Sequence, residues 1–139
     1  MDPYYCIFFQ LAKASQAGTR FWQESVSRFN VTAVQAMVLS FLSEKDRVSS
    51  GFLGQKVQLD SATLTGILDR LAKAGFLERK PNPDDRRAIL ICLTPRGKEI
   101  GRRVLAMVPE RNQAFLSALT PEEEMIFRTL LKKLVSHVK

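Results

Sequence analysis

With 139 residues, 45% of them hydrophobic and 25% charged, the chain has the composition of a soluble globular protein and is long enough for one domain whose core needs no metal or disulfide staple. No apolar run approaches the roughly 20 residues of a membrane-spanning helix, and Met1-Asp2-Pro3-Tyr4-Tyr5 lacks a basic n-region and small-residue cleavage site, so a cytoplasmic protein without a membrane partner is expected. The formal net charge is +7, and ten bases against four acids between Arg70 and Arg103 carry +6 of it, a clustering that suits phosphate neutralisation and, with no basic amphipathic helix face, favours nucleic acid over a lipid surface.

Phe8, Leu11, Ser15, Gly18 and Trp22 recur at three- and four-residue spacing, flanked by Ile7, Ala14, Ala17 and Phe21. They predict a helix from about Tyr4 to Phe29 whose apolar face is too wide for packing on one side only. Thr32-Ala33-Val34-Gln35 spells a capping box and opens a helix with Val34, Met37, Val38, Phe41 and Leu42 inward, closed by Glu44-Lys45-Asp46-Arg47. Ser49 or Ser50 caps a short helix through Gln58, with Phe52, Leu53 and Val57 as its apolar side.

Asp60 or Ser61 caps the next helix, on which Leu64, Ile67, Leu68 and Leu71 fall at i, i+3, i+4 and i+7 and share one buried stripe. Gly75 ends it, since only a residue without Cβ enters the left-handed conformation cheaply. Phe76–Lys80 and Ala88–Leu93 read as strands joined by the turn-forming segment Pro81-Asn82-Pro83-Asp84-Asp85-Arg86-Arg87. Thr94-Pro95 starts a long helix that Pro109 should kink or interrupt, and Thr120-Pro121-Glu122-Glu123 starts a last one carrying Met125 or Ile126, Thr129 or Leu130, and Leu134. There is no internal repeat, low-complexity tract or linker.

Helix, turn, helix and then a basic hairpin is the layout of a winged helix that reads duplex DNA. The outward residues of the second of these helices include Ser61, Ala62, Thr63, Thr65, Gly66, Asp69, Arg70 and Lys73, and small polar side chains at its start allow close entry into the major groove. In the hairpin, Arg86 and Arg87 stand beside Asp84 and Asp85, so a carboxylate can hold the loop while one guanidinium projects into a narrow minor groove. The bland alternatives are a solvated helix face and surface ion pairs worth about 0–1 kcal/mol each.

The run Asp85-Arg86-Arg87-Ala88-Ile89-Leu90-Ile91-Cys92-Leu93-Thr94-Pro95-Arg96-Gly97 resembles the D-x-R-x5-L-T-x-x-G signature of the multiple antibiotic resistance regulator (MarR) family, and the preceding L-x-x-x-G-F-L-E-R resembles that family's strand entry. The resemblance spans the chain in length and order of elements. It implies a mainly α, winged helix-turn-helix homodimer with long N- and C-terminal dimerisation helices and a small β-hairpin wing, bound to a palindromic operator in double-stranded DNA. By that likeness residues 31–97 form the DNA-binding lobe of a single 139-residue domain, and residues 1–30 and 98–139 dimerise. Arg87 takes the place of the signature's wing arginine and Asp85 that of its stabilising partner, while Thr63, Thr65 and Arg70 fall on the recognition helix. A repressor released by a small-molecule inducer is implied, and the cleft between dimer helices and DNA-binding lobe offers Phe8, Phe9, Trp22, Met37 and Phe41 as contacts.

Two other routes remain open. Cys92 alternates within an apolar strand and reads as a small buried hydrophobe. Cys6 lies near the start of the first helix, where unsatisfied backbone N–H groups favour a thiolate, and some members of the resembling family sense peroxides through a thiol there. No second cysteine is near enough in sequence to resolve an oxidised Cys6, and an inert half-buried thiol is the plainer reading. A protein-interaction module using the broad apolar face is the other alternative. No cofactor, metal site or catalytic residue is expected: His137 is the only histidine, no C-x-x-C or H-x-x-x-H spacing occurs, and the paired acids sit at turns and helix starts.

Overall fold

A computed structural model describes residues 1–138 and contains six α-helices and one β-hairpin. In chain order these are α1 (Ile7–Val26), α2 (Ala33–Glu44), α3 (Ser50–Val57), α4 (Ser61–Lys73), β1 (Leu77–Asn82), β2 (Asp85–Leu93), α5 (Pro95–Phe115) and α6 (Pro121–His137). Two compact units divide the chain, Met1–Met107 and the segment from Val108 onwards.

The expected starts of α2 to α6 hold because each cap is a local device. Thr32 Oγ1 accepts from the Gln35 N–H at 3.1 Å while Gln35 Oε1 accepts from the Thr32 N–H at 3.0 Å, and Thr120 with Glu123 repeats the box at α6. Ser49 caps α3 and Asp60 caps α4. Gly75 follows α4 at φ +84°, the left-handed conformation that glycine adopts without strain. Thr94 Oγ1 accepts from the Gly97 N–H and donates to the Gly75 carbonyl at 2.7 Å, so one hydroxyl starts α5 and ties it to the end of α4.

The core of the first unit gathers Val38, Leu39 and Leu42 of α2, Leu53 and Val57 of α3, the stripe Leu64, Ile67, Leu68 and Leu71 of α4, and Phe76, Leu77, Ile91 and Leu93 of the hairpin. Each such fully buried side chain contributes roughly 1.5–3 kcal/mol against exposure. Val26 at the end of α1, Phe29, Val31, Ala36, Val48 and Val104 of α5 belong to it as well.

Four expectations need correction. On α2 the buried positions are Ala36, Val38, Leu39 and Leu42, whereas Val34 and Phe41, expected inward, are exposed, Phe41 by 39%. An almost wholly apolar helix offers two stripes at helical spacing, and packing rather than periodicity selects between them. The first helix is shorter than its apolar face: 3-10 turns at Pro3–Tyr5 and Ser27–Phe29 flank α1, and Asn30 at φ +58° closes the second. The strands run further into the loop than the turn residues suggest, leaving Pro83-Asp84 at the tip and an irregularity between Pro81 and Asn82. Finally, α5 is not interrupted at Pro109 but runs on as one helix, at the expense of the donor that position lacks.

A third strand-like contact has no sequence signature. Val48 and Ile91 exchange backbone hydrogen bonds at 3.2 and 2.7 Å, adding an isolated bridge beside β2. Asp46 holds this corner, its Oδ1 accepting from the N–H of Arg47 at 2.8 Å and of Leu93 at 2.9 Å.

Candidate nucleic-acid interface

α4 presents its start through an anchored cap. Asp60 Oδ1 accepts from the Thr63 N–H and Oδ2 from the Thr63 hydroxyl, both at 2.8 Å. The Thr63 backbone bond, then its hydroxyl, hold the Asp60 carboxyl below the ordinary carboxylate range, so the cap stays charged at neutral pH. Thr63 therefore spends its hydroxyl donor inside the cap, and of the two threonines expected to meet DNA, Thr65 has the hydroxyl without a partner among the described residues. Ser61, Ala62, Thr65 and Arg70 are all exposed on the same helix.

The wing is stiffened by side chains bonding to its own backbone. Asn82 Oδ1 accepts from the Asp84 N–H and Asp85 Oδ1 from the Arg87 N–H, each at 3.0 Å. Asp85 thus grips the backbone of Arg87 rather than a guanidinium. Arg86 and Arg87 lie on β2, exposed and without an ion pair among the described residues.

The basic cluster is sorted by partner. Arg79 bonds Asp69 at 2.8 Å, Lys80 meets Glu78 at 3.2 Å, and Arg103 lies over the Phe29 ring. Arg96 stacks 4.5 Å from the Phe76 ring centre and donates to the Ala74 carbonyl, closing the end of α4. Arg70 and Lys73 at the end of α4, and Arg86 and Arg87 on the wing, remain exposed and free of ion pairs among the described residues.

A cleft between α3 and α4, bordered by Ser50, Gly51, Gln55, Ser61 and Thr65, adds α3 residues to this face that sequence reasoning missed. Their only signal was the small and polar composition of the start of α3.

The residues expected at a ligand differ in exposure and partners. Phe8 is 77% exposed, Phe9 packs edge-on against Tyr4, Trp22 packs edge-on against Phe21, and Met37 is partly buried against the core. A cavity between α2 and α5 is lined instead by Leu42, Ser43, Asp46, Leu93, Lys98, Arg102 and Leu105. None of the five expected residues borders it or the α3–α4 cleft.

Cys92 is buried, as expected, whereas Cys6, directly before α1, is exposed rather than half-buried. Peroxide or an alkylating reagent should therefore modify Cys6 well before Cys92 in the folded protein, as intact mass of the Cys6→Ser and Cys92→Ser variants would show. Equal rates at the two thiols would contradict the burial. Among the described residues no group of metal-ligating side chains occurs, and no helix is long and apolar enough to cross a membrane.

Comparison with known proteins adds four findings. The MarR family profile matches residues 31–89, which run from the start of α2 to the wing. The multiple antibiotic resistance protein MarR of Escherichia coli (strain K12) is 32% identical over 122 residues, covering 87% of this chain and 85% of that protein. Among solved structures, the PcaV transcriptional regulator from Streptomyces coelicolor in complex with its natural ligand matches with a TM-score of 0.89 and 27% identity over 100% of this chain and 98% of its own. A mutant MarR from E. coli complexed with operator DNA matches with a TM-score of 0.87 and 28% identity over 96% of this chain and 99% of its own.

Proposed function

The chain belongs to the MarR family of DNA-binding transcriptional regulators, and on that premise we propose that its homodimer grips a palindromic operator through α4 and the wing and represses transcription until a small ligand releases it. In this reading the start of α4 (Ser61, Ala62, Thr63, Thr65) enters the major groove, and Arg70 meets a phosphate. Arg87 projects into the minor groove with Arg86 beside it, and Asp85 fixes the backbone from which Arg87 springs. The role is regulatory and non-catalytic, and it is exercised in the cytoplasm. The apolar side chains Phe8, Phe9, Trp22, Met37 and Phe41 supply the inducer's contacts, in keeping with the relative solved with its natural ligand.

The observation that carries the reading is the sorting of the cations. Among the described residues Arg70, Lys73, Arg86 and Arg87 of α4 and the wing have no acidic partner, so an incoming phosphate backbone can pair them without displacing an acid. Arg87→Ala should therefore weaken binding to the best duplex selected from a random-sequence pool. It should also lower the salt slope by about one charge per subunit and leave thermal stability nearly unchanged. Thr65→Ala should change which sequence is selected, while Thr63→Ala removes the hydroxyl bond to Asp60 and keeps the backbone cap. Wild-type affinity and slope for Arg87→Ala would move the role to Arg86.

A further inference from the structure

Asp69 is the one acid within α4, and it lies exposed beside Arg70 on the helix that faces DNA. A carboxylate near phosphates repels them, so its presence there needs another account. Its Oδ1 accepts a 2.8 Å bond from Nη2 of Arg79 on β1, across the Ala74-Gly75 turn that separates recognition helix from wing. The two groups are part-exposed, Arg79 by 35% and Asp69 by 56%, so the pair contributes little to folding. It does join the two elements that must engage the duplex together. A guanidinium carries five N–H donors, and one bond to Asp69 leaves the others available.

We propose that Asp69 is a positioning residue for DNA binding: it holds the Arg79 guanidinium between α4 and the wing, where Arg79 contacts a phosphate on the strand separating the major groove from the minor groove. The inference rests on α4 and the wing being the face that meets DNA. Arg79 is then a contact residue, and Asp69 acts only through it. The loss of one acid's repulsion is outweighed by the loss of a correctly aimed cation.

The two accounts of Asp69 predict opposite signs. Asp69→Asn keeps size and shape but removes the charge. A merely repulsive acid would give tighter binding and a salt slope steeper by about one charge per subunit. Positioning gives binding weaker by about fivefold or more, a slope no steeper, and an unchanged melting temperature. The probe is the duplex best bound by the wild-type protein after selection from a random pool. Arg79→Gln should weaken binding in the wild-type background and much less in Asp69→Asn, because the cycle closes on one shared contact. Equal or tighter binding by Asp69→Asn, or the same Arg79→Gln loss in both backgrounds, overturns the inference. The Arg86→Ala with Arg87→Ala double variant, measured in parallel, separates the levels. If it weakens binding while Asp69→Asn does not, only the positioning role falls; if neither weakens binding, the assignment of the DNA face falls with it.

Discussion

Replacing Gly97 by alanine should destabilise the protein by about 3 kcal/mol or more and lower its melting temperature by roughly 10 °C. A Cβ at Gly97 would overlap the Phe76 carbonyl oxygen and lie 2.9 Å from the carbonyl carbon, with Leu93 Cδ2 at 3.1 Å. The obstacle is backbone, so relief requires α5 to move away from the turn at which α4 passes into the hairpin. Gly101, one helical turn on, approaches the Leu39 carbonyl and the Ser43 hydroxyl of α2, and a side-chain hydroxyl can partly give way. Gly101→Ala should accordingly cost less. Gly66 is the control: nothing lies within 4 Å of its added Cβ, and Gly66→Ala in a helix interior should raise stability by about 0.5–1 kcal/mol. Chemical denaturation of the three variants checks the order, and a Gly97→Ala protein as stable as wild type would mean that α5 does not sit this close.

The second large effect is expected in α6. None of its described residues is buried, yet Met125, Ile126, Phe127, Leu130, Leu131, Leu134 and Val135 are all exposed to at least 38%. Tyr4, Ile7, Phe8 and Leu11 at the start of the chain are exposed as well. Apolar surface on this scale marks an interface, and the alternating polar face of α6 shows that the helix is amphipathic rather than poorly folded. Wild-type protein should sediment as a dimer at micromolar concentration or below. Charging two side chains one turn apart, Leu130→Asp with Leu134→Asp, should dissociate it and abolish operator binding, since two half-sites are then gripped independently. A soluble, folded wild-type monomer at micromolar concentration would sink the dimer. Dissociation of the double variant with operator affinity retained would sink the link between dimerisation and DNA binding.

Local chemistry was largely legible in the chain. The caps at Thr32, Ser49, Asp60, Thr94 and Thr120, the glycine stop at Gly75 and the buried stripe of α4 all depend on residues within a turn or two of one another. Spacing of three and four along the chain is enough to state them, except that Ser50 and Ser61 were equal candidates until the structure chose Ser49 and Asp60. The hairpin was legible too, because β-formers and turn formers alternate there, although strand pairing carried the ladder further into the loop than composition suggested. The clustering of positive charge between Arg70 and Arg103 was readable by counting.

What depended on long-range approach was decided only by the tertiary structure. The choice of Ala36 and Leu39 over Val34 and Phe41 for the core of α2 was set by which face α1, α3, α5 and the hairpin could cover. The bridge between Val48 and Ile91, the Asp69–Arg79 pair and the passage of Gly97 under the Phe76 carbonyl each join residues on different elements. Thr63 shows the limit at short range: its type and position announced a DNA contact, but the Asp60 carboxylate three residues earlier had already claimed its hydroxyl. A sequence lists which groups can bond and which can be buried. Packing decides which of several competing partners each group meets, because every helix face and every donor can be satisfied only once, and the three-dimensional arrangement that satisfies most of them is the one that forms.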